Sequence, residues 1–215
     1  MKTNRWTATV CMMMLASATA VTAAEPEFAV RWQGLLPAKS EDWSSAGAFE
    51  AQMRFLDETG LGIAFTLGVS EWSAKEEYYE EGDSSAFFSM AVSGNLTAVP
   101  VGVSLMQRMP LSDRLFLTLE AGVRYVFCDS DIVVDTEIND SLGQDYYRET
   151  IHVDDTLLGV VGGTLEGWIG KHFALTAGLG YQWDLVEPAQ QFQGKDIGPT
   201  SLQAATVSVG FAWMF

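Results

Sequence analysis

From Ala205 to Phe215 the chain alternates. Ala205, Val207, Val209, Phe211, Trp213 and Phe215 fall on one side, with Thr206, Ser208, Gly210, Ala212 and Met214 on the other. Successive strand residues point to opposite faces, so this is a strand with one apolar side that ends on an aromatic. The same period of two predicts eight strands, over 26–36, 46–56, 61–72, 96–108, 115–127, 157–169, 173–185 and 203–215. Most are slightly longer than the roughly 9–11 residues that cross a bilayer at a tilt of about 45°.

The connections sort into two kinds. Asp57 to Gly60, Met109 to Asp113, and Gly170 to His172 are short and built from turn-forming residues. Between them fall long links at 37–45, 73–95, 128–156 and 186–202, so long and short alternate along the whole chain. That rhythm predicts an all-β fold: an eight-stranded antiparallel up-and-down transmembrane β-barrel with brief turns at one end and extended loops at the other. No internal stretch is apolar for long enough to span as a helix, and a closed barrel is the other way to satisfy every backbone group in lipid.

The predicted outer face carries Phe49, Ala51, Met53 and Phe55 in the second strand, and Leu115, Leu117, Leu119, Ala121 and Val123 in the fifth, with no charge. Aromatics gather at strand ends: Tyr125, Phe127, Tyr181 and Trp183 towards the loops, Phe28, Phe55, Phe173, Trp213 and Phe215 towards the turns. A water-soluble eight-stranded barrel would turn its apolar face inward and present a densely charged outside. Here the opposite face is mostly Gly, Ala, Ser and Thr, which suits a narrow interior instead.

That inner face holds six charges. Arg31, Glu50, Arg54, Glu120, Arg124 and Glu166 all have the inward parity, three acids against three bases. A charge inside a barrel loses hydration and survives there paired or wet. Glu50 and Arg54, like Glu120 and Arg124, stand four residues apart, about 13 Å along a strand, so pairing is expected between strands. The expectation is a salt-bridge network filling the lumen, with Gly62, Ala64, Gly122, Gly178 and Gly180 making room for long Arg side chains.

Composition adds location. Lys2 and Arg5, an apolar run from Trp6 to Leu15 and small residues from Ala16 to Ala24 form a secretory signal pattern, giving a cleaved segment 1–24 and a barrel domain 25–215. The run is short for an uncleaved anchor, and Cys11 lies too early for a lipoprotein site. Cys128 then stands alone, without a disulfide partner, and reads as a small buried apolar residue. Removal of Lys2 and Arg5 leaves 10 basic against 28 acidic residues, a net charge of −18, which excludes nucleic acid as a partner. The acid sits in the long loops, notably at Glu76, Glu77, Glu80, Glu81 and Asp83, and at nine positions from Asp129 to Asp155.

With the signal segment, the turn–loop alternation, the inward Glu/Arg set and the terminal FAWMF, residues 25–215 resemble the small eight-stranded outer-membrane barrels of the OmpA transmembrane-domain and OmpX type. The resemblance implies a Gram-negative-type outer membrane with both termini periplasmic. It also implies lipid and lipopolysaccharide as surroundings, and the barrel assembly machinery as a partner that reads Phe211, Trp213 and Phe215. The expected role is non-enzymatic and structural, in the envelope, with the acidic loops as the surface for an extracellular ligand. The alternative is a narrow channel for ions or small solutes.

No catalytic set, cofactor or metal site is expected. His172 falls in a turn beside Lys171, and His152 lies near Asp154 and Asp155 without a recognisable Ser nucleophile. Asp129-Ser130-Asp131 begins like a calcium loop but lacks the later Gly and Glu. Tyr78-Tyr79 and Tyr146-Tyr147, each inside an acidic loop, are candidate contacts for a basic partner.

Overall fold

A computed structural model describes residues 25–39, 42–82, 87–140 and 143–215. The predicted signal segment, 1–24, lies outside the described residues. In chain order the strands are β1 (Glu25–Pro37), β2 (Trp43–Leu56), β3 (Leu61–Ala74), β4 (Glu77–Gly82), β5 (Phe87–Ser93), β6 (Asn95–Pro110) and β7 (Leu115–Ser130). They continue with β8 (Ile132–Asp140), β9 (Gly143–Val153), β10 (Thr156–Ile169), β11 (Phe173–Val186), β12 (Ala189–Phe192), β13 (Lys195–Pro199) and β14 (Ala204–Met214).

Eight of these close into an antiparallel barrel in the order β1-β14-β11-β10-β7-β6-β3-β2, with strands of 11 to 16 residues. They match the eight strands expected from the period of two. The seam between first and last strands runs in register from Glu27↔Met214 to Pro37↔Ala204. Closure leaves no free edge in this sheet.

The short turns hold by local chemistry. Asp57 Oδ1 accepts from Thr59 N at 2.8 Å, Thr59 Oγ1 at 2.6 Å and Leu61 N at 3.0 Å. Gly60 takes φ +80°, and a Cβ there would overlap the carbonyl oxygen of Arg108. The Asp57 carboxyl is held below its ordinary pKa, chiefly by the Thr59 hydroxyl.

Three of the four long links fold into hairpins that pair as a second, six-stranded sheet, in the order β13-β12-β9-β8-β5-β4, where extended loops were expected. Each hairpin continues a barrel hairpin after a short break. At one break Gly94 adopts φ +129°, where a Cβ would overlap the carbonyl of Asp131. At another, Asp155 accepts from Cys128 N at 2.9 Å and from the Tyr125 hydroxyl at 3.0 Å.

The outer wall is apolar on every strand. Trp32, Phe49, Leu67, Leu105, Leu119, Val161, Leu179 and Val209, one from each barrel strand, are 45–70% exposed. Leaving them in water would forfeit roughly 1.5–3 kcal/mol per side chain, so this wall is built for an apolar medium.

Candidate functional site: the barrel lumen and the sheet above it

The inward residues form three layers. At the turn end Trp168, Ala29, Ala174 and Ala212 are buried with Phe116 and Met214 against them, beside a small cluster of Leu56, Ala64 and Met106. At the sheet end Trp43, Trp72, Leu35, Leu96, Val126, Leu158 and Leu202 form a larger apolar cap. It extends into the second sheet through Ile132 and Val153. Trp43 and Trp72 meet edge to face, centroids 5.8 Å apart. Their indole N–H groups donate to the Ser201 carbonyl at 2.8 Å and to the Ser70 hydroxyl at 3.1 Å. A buried Trp needs such a partner for its one polar atom.

Between the two apolar layers lies an ion ladder. Nearer the sheet end, Arg31 donates through Nε to Glu50 at 2.6 Å and through Nη2 to Glu120 at 3.0 Å. Arg124 reaches Glu50 at 2.8 Å and Glu120 at 3.8 Å. Nearer the turns, Glu166 receives Arg54 at 2.7 Å on one oxygen and Arg108 at 2.7 Å on the other. Arg108 also grips Glu27 with both terminal nitrogens, at 2.5 and 2.6 Å. Its guanidinium lies 5.6 Å from the Trp168 ring centroid, within cation–π range.

Gln52 joins the two groups: its amide nitrogen donates to Glu120 at 3.1 Å, while its oxygen accepts from Arg54 Nε at 3.0 Å. The Ser104 hydroxyl adds a 2.8 Å bond to Glu120. The ladder therefore holds Arg31, Arg54, Arg108 and Arg124 against Glu27, Glu50, Glu120 and Glu166, and its formal charge is zero.

All six charged residues picked from parity lie in this ladder. Arg108 and Glu27 were missed because each falls near the end of a predicted strand, yet both carry the inward parity of their strands. One detail differs from expectation: Glu120 and Arg124 touch along their own strand as well as across the lumen, because a long Arg side chain folds back over the distance. The room for an Arg side chain comes from a glycine outside the expected set: a Cβ on Gly102 would stand 2.7 Å from Arg124 Cγ, whereas the nearest neighbours of Gly62, Gly122, Gly178 and Gly180 are backbone atoms and Ser or Thr hydroxyls.

A space of about 30 Å³ lies beside Arg31, Glu120, Arg124, Thr164 and Ser208, room for about two waters. Arg124 Nε has no partner among the described residues.

The second sheet is the opposite kind of surface. Registers place Tyr79, Met90, Thr136 and Tyr147 in one row, with Glu81, Phe88, Ile138 and Asp145 in the next on the same face. The lower end of that face, at Val134 and Ile132, is buried; its upper part is open. Tyr146 donates to Asp135 at 2.6 Å and Tyr79 to Glu81 at 2.5 Å. These carboxylate partners push both phenol pKa values up, because ionisation would place two anions together.

The remaining residues considered for chemistry are scattered. His152 Nε2 is 3.9 Å from Asp154 and mostly exposed. His172 Nδ1 lies 3.2 Å from the Met214 carbonyl, and its ring stacks on Trp213. Cys128 is partly buried and packs against the apolar cap. Phe211, Trp213 and Phe215 stand on the outer wall, Phe211 and Trp213 packed around Phe173.

No protein-family model matches the chain, and no curated protein matches it in sequence. Solved structures share its fold. Neisserial surface protein A, NspA, aligns with TM-score 0.50 at 8% identity, over 88% of this chain and 97% of that one. The outer membrane protein OprG from Pseudomonas aeruginosa aligns with TM-score 0.50 at 10% identity, over 90% of this chain and 96% of that one. The architecture is thus that of the small eight-stranded barrels; at such identities the likeness is one of fold.

Proposed function

We propose that the chain is an integral outer-membrane barrel of a Gram-negative-type bacterium, non-enzymatic and closed to solutes, with a structural role in the envelope. The second sheet stands outside the membrane, and both termini lie on the periplasmic side. Segment 1–24 is a cleaved signal peptide, and Phe211, Trp213 and Phe215 are the signal read by the barrel assembly machinery. Surface lipid and lipopolysaccharide are its surroundings. The apolar wall on all eight strands supports membrane insertion, since such a continuous belt has no stable place in water.

One observation carries the closed state: a neutral ion ladder sealed between two apolar layers. An ion moving through would have to break at least one Arg–Glu contact and then cross a layer of Trp and Leu side chains. Each layer alone imposes a barrier, the first by loss of paired charge and the second by dehydration.

The test is single-channel recording of the refolded barrel in a planar bilayer. The expected result is an electrically silent protein. Reproducible conductance steps, abolished by neutralising Arg31 or Arg124, would overturn the closed reading and establish a narrow channel.

A further inference from the structure

The chain is strongly acidic, yet its turn end carries a small basic patch. Outside the lumen ladder, Lys39, Lys75, Arg148 and Lys195 lie at the sheet end, and Arg114 and Lys171 at the turn end. Arg114 directly precedes β7 and Lys171 sits in the β10–β11 turn, both exposed, on turns that neighbour each other in the barrel order. Trp168 N donates to the Arg114 carbonyl at 2.8 Å. Lys171 stands only three residues beyond Trp168, at most about 10 Å of extended chain. The acids Asp57 and Glu58 lie across the barrel, on the β2–β3 turn. Among the described residues no carboxylate, that of neighbouring Asp113 included, is within salt-bridge distance of Arg114 or Lys171.

Depth and wall complete the site. His172, next to Lys171, stacks on Trp213 and lies 3.2 Å from the Met214 carbonyl, which ties the turn to β14 at the level of the aromatic belt. Such rings settle at the headgroup boundary of a bilayer, so Lys171 stands at headgroup depth. Just inside that level the outer wall of β10 has a gap. Gly167 lies between Leu115 of β7 and Leu175 of β11, and a Cβ placed on it would meet only the Leu175 carbonyl oxygen, at 4.0 Å. Gly163 lies likewise between Leu119 and Leu179. An acyl chain has room there to lie against backbone, with leucines on both sides.

We propose that this rim is a binding site for an anionic phospholipid of the periplasmic leaflet. Arg114 and Lys171 hold its phosphate by charge-assisted hydrogen bonds, and one of its chains lies over Gly167 between Leu115 and Leu175. A zwitterionic lipid would bring its own ammonium beside two cations and forfeit part of that attraction; an anionic one brings none. The inference rests on the reading of the outer wall as inserted in the membrane, with the turn end periplasmic, yet it is tested apart from the closed lumen. A conducting barrel that still selects anionic lipid would sink the closed reading alone.

The experiment adds phosphatidylglycerol or phosphatidylcholine with identical chains to the refolded full barrel in neutral detergent micelles, and native mass spectrometry measures the lipid retained. The expected result is retention of phosphatidylglycerol at concentrations where phosphatidylcholine is lost. In R114Q/K171Q its affinity should fall by about tenfold or more, since two charge-assisted bonds to phosphate are removed. The variant K75Q/K195Q makes the same change of charge at the sheet end and should bind like the wild type. Equal retention of the two lipids, or unchanged binding to R114Q/K171Q, would overturn the site. An equal loss in K75Q/K195Q would reduce it to general attraction and overturn it too. Displacement by inorganic phosphate at the concentration of the lipid would show that the leucine-flanked wall adds nothing, and would overturn the assignment to a lipid.

Discussion

Glutamate does opposite things at the two ends of this molecule. In the lumen Glu27, Glu50, Glu120 and Glu166 are almost wholly buried, and each lies against one or two guanidinium groups. In the sheet Glu77, Glu80 and Glu81 stand in solvent with no cation within salt-bridge distance among the described residues. Water screens the second set and permits excess charge there. The lumen has little water, so its charge must balance locally, and the structure holds four bases against four acids. The comparison separates a place where charge is part of the packing from one where it faces outward.

The sharpest way to break that contrast is to unbalance the lumen. Glu166 is fully buried and receives both Arg54 and Arg108. Glu166→Leu leaves Arg54 without its carboxylate and is expected to cost about 3–5 kcal/mol, the usual penalty for stranding one partner of a buried pair. Urea unfolding of the barrel in lipid vesicles, followed by Trp fluorescence, reads the loss. Adding Arg54→Met restores neutrality, because three Arg then face three Glu. Recovery of at least half the lost stability in the double variant is the expected outcome. A double variant as weak as or weaker than the single one would mean that charge balance is not what the ladder maintains.

The same exchange in the sheet sets the lower end of the scale. Arg148 lies 3.6 Å from Asp135 and is 66% exposed, so Arg148→Ala should cost about 0.5 kcal/mol or less in the same assay. A loss approaching that of Glu166→Leu would erase the distinction between the two regions.

How much of this could be read from the chain follows from the same physics. Strands with one wall in apolar medium and one in a packed lumen show a clean period of two, so the eight barrel strands were legible, as was the inward parity of Arg31, Glu50, Arg54, Glu120, Arg124 and Glu166. Arg108 and Glu27 share that parity and lie inside the predicted strands, but at or beside their ends, where a charge reads as solvated. The second sheet was hidden by its acid. The residues Ile132, Val134, Thr136 and Ile138 do alternate with Val133, Asp135, Glu137 and Asn139, and Phe88, Met90 and Val92 alternate with Phe87, Ser89 and Ala91. Carboxylates made the first stretch read as a solvated loop; the second, Phe87 to Val92, carries no acid and was absorbed into the link because it follows the acidic run from Glu76 to Asp83. β4 gives no such signal, because all of its residues are exposed and no face of it demands apolar side chains. Trp43 lay in a predicted link, so the apolar cap that it forms with Trp72 had no visible precursor in the periodicity.

The smallest effect expected is also the most local. Tyr146 donates to Asp135, and Tyr79 to Glu81, so both phenols ionise above their ordinary range. A proton bound more tightly in the folded state stabilises that state below the unfolded pKa, about 10, and the gain disappears as pH rises through the higher folded value. Alkaline titration at the phenolate absorbance band should therefore show at least two tyrosines lagging behind the rest. In Asp135→Asn the Tyr146 lag should shrink while the Tyr79 lag stays, because each phenol answers to its own carboxylate. Both lags collapsing together would mean that the sheet opens as a unit at high pH and that its hydrogen bonds, unlike the barrel's ladder, do not act site by site.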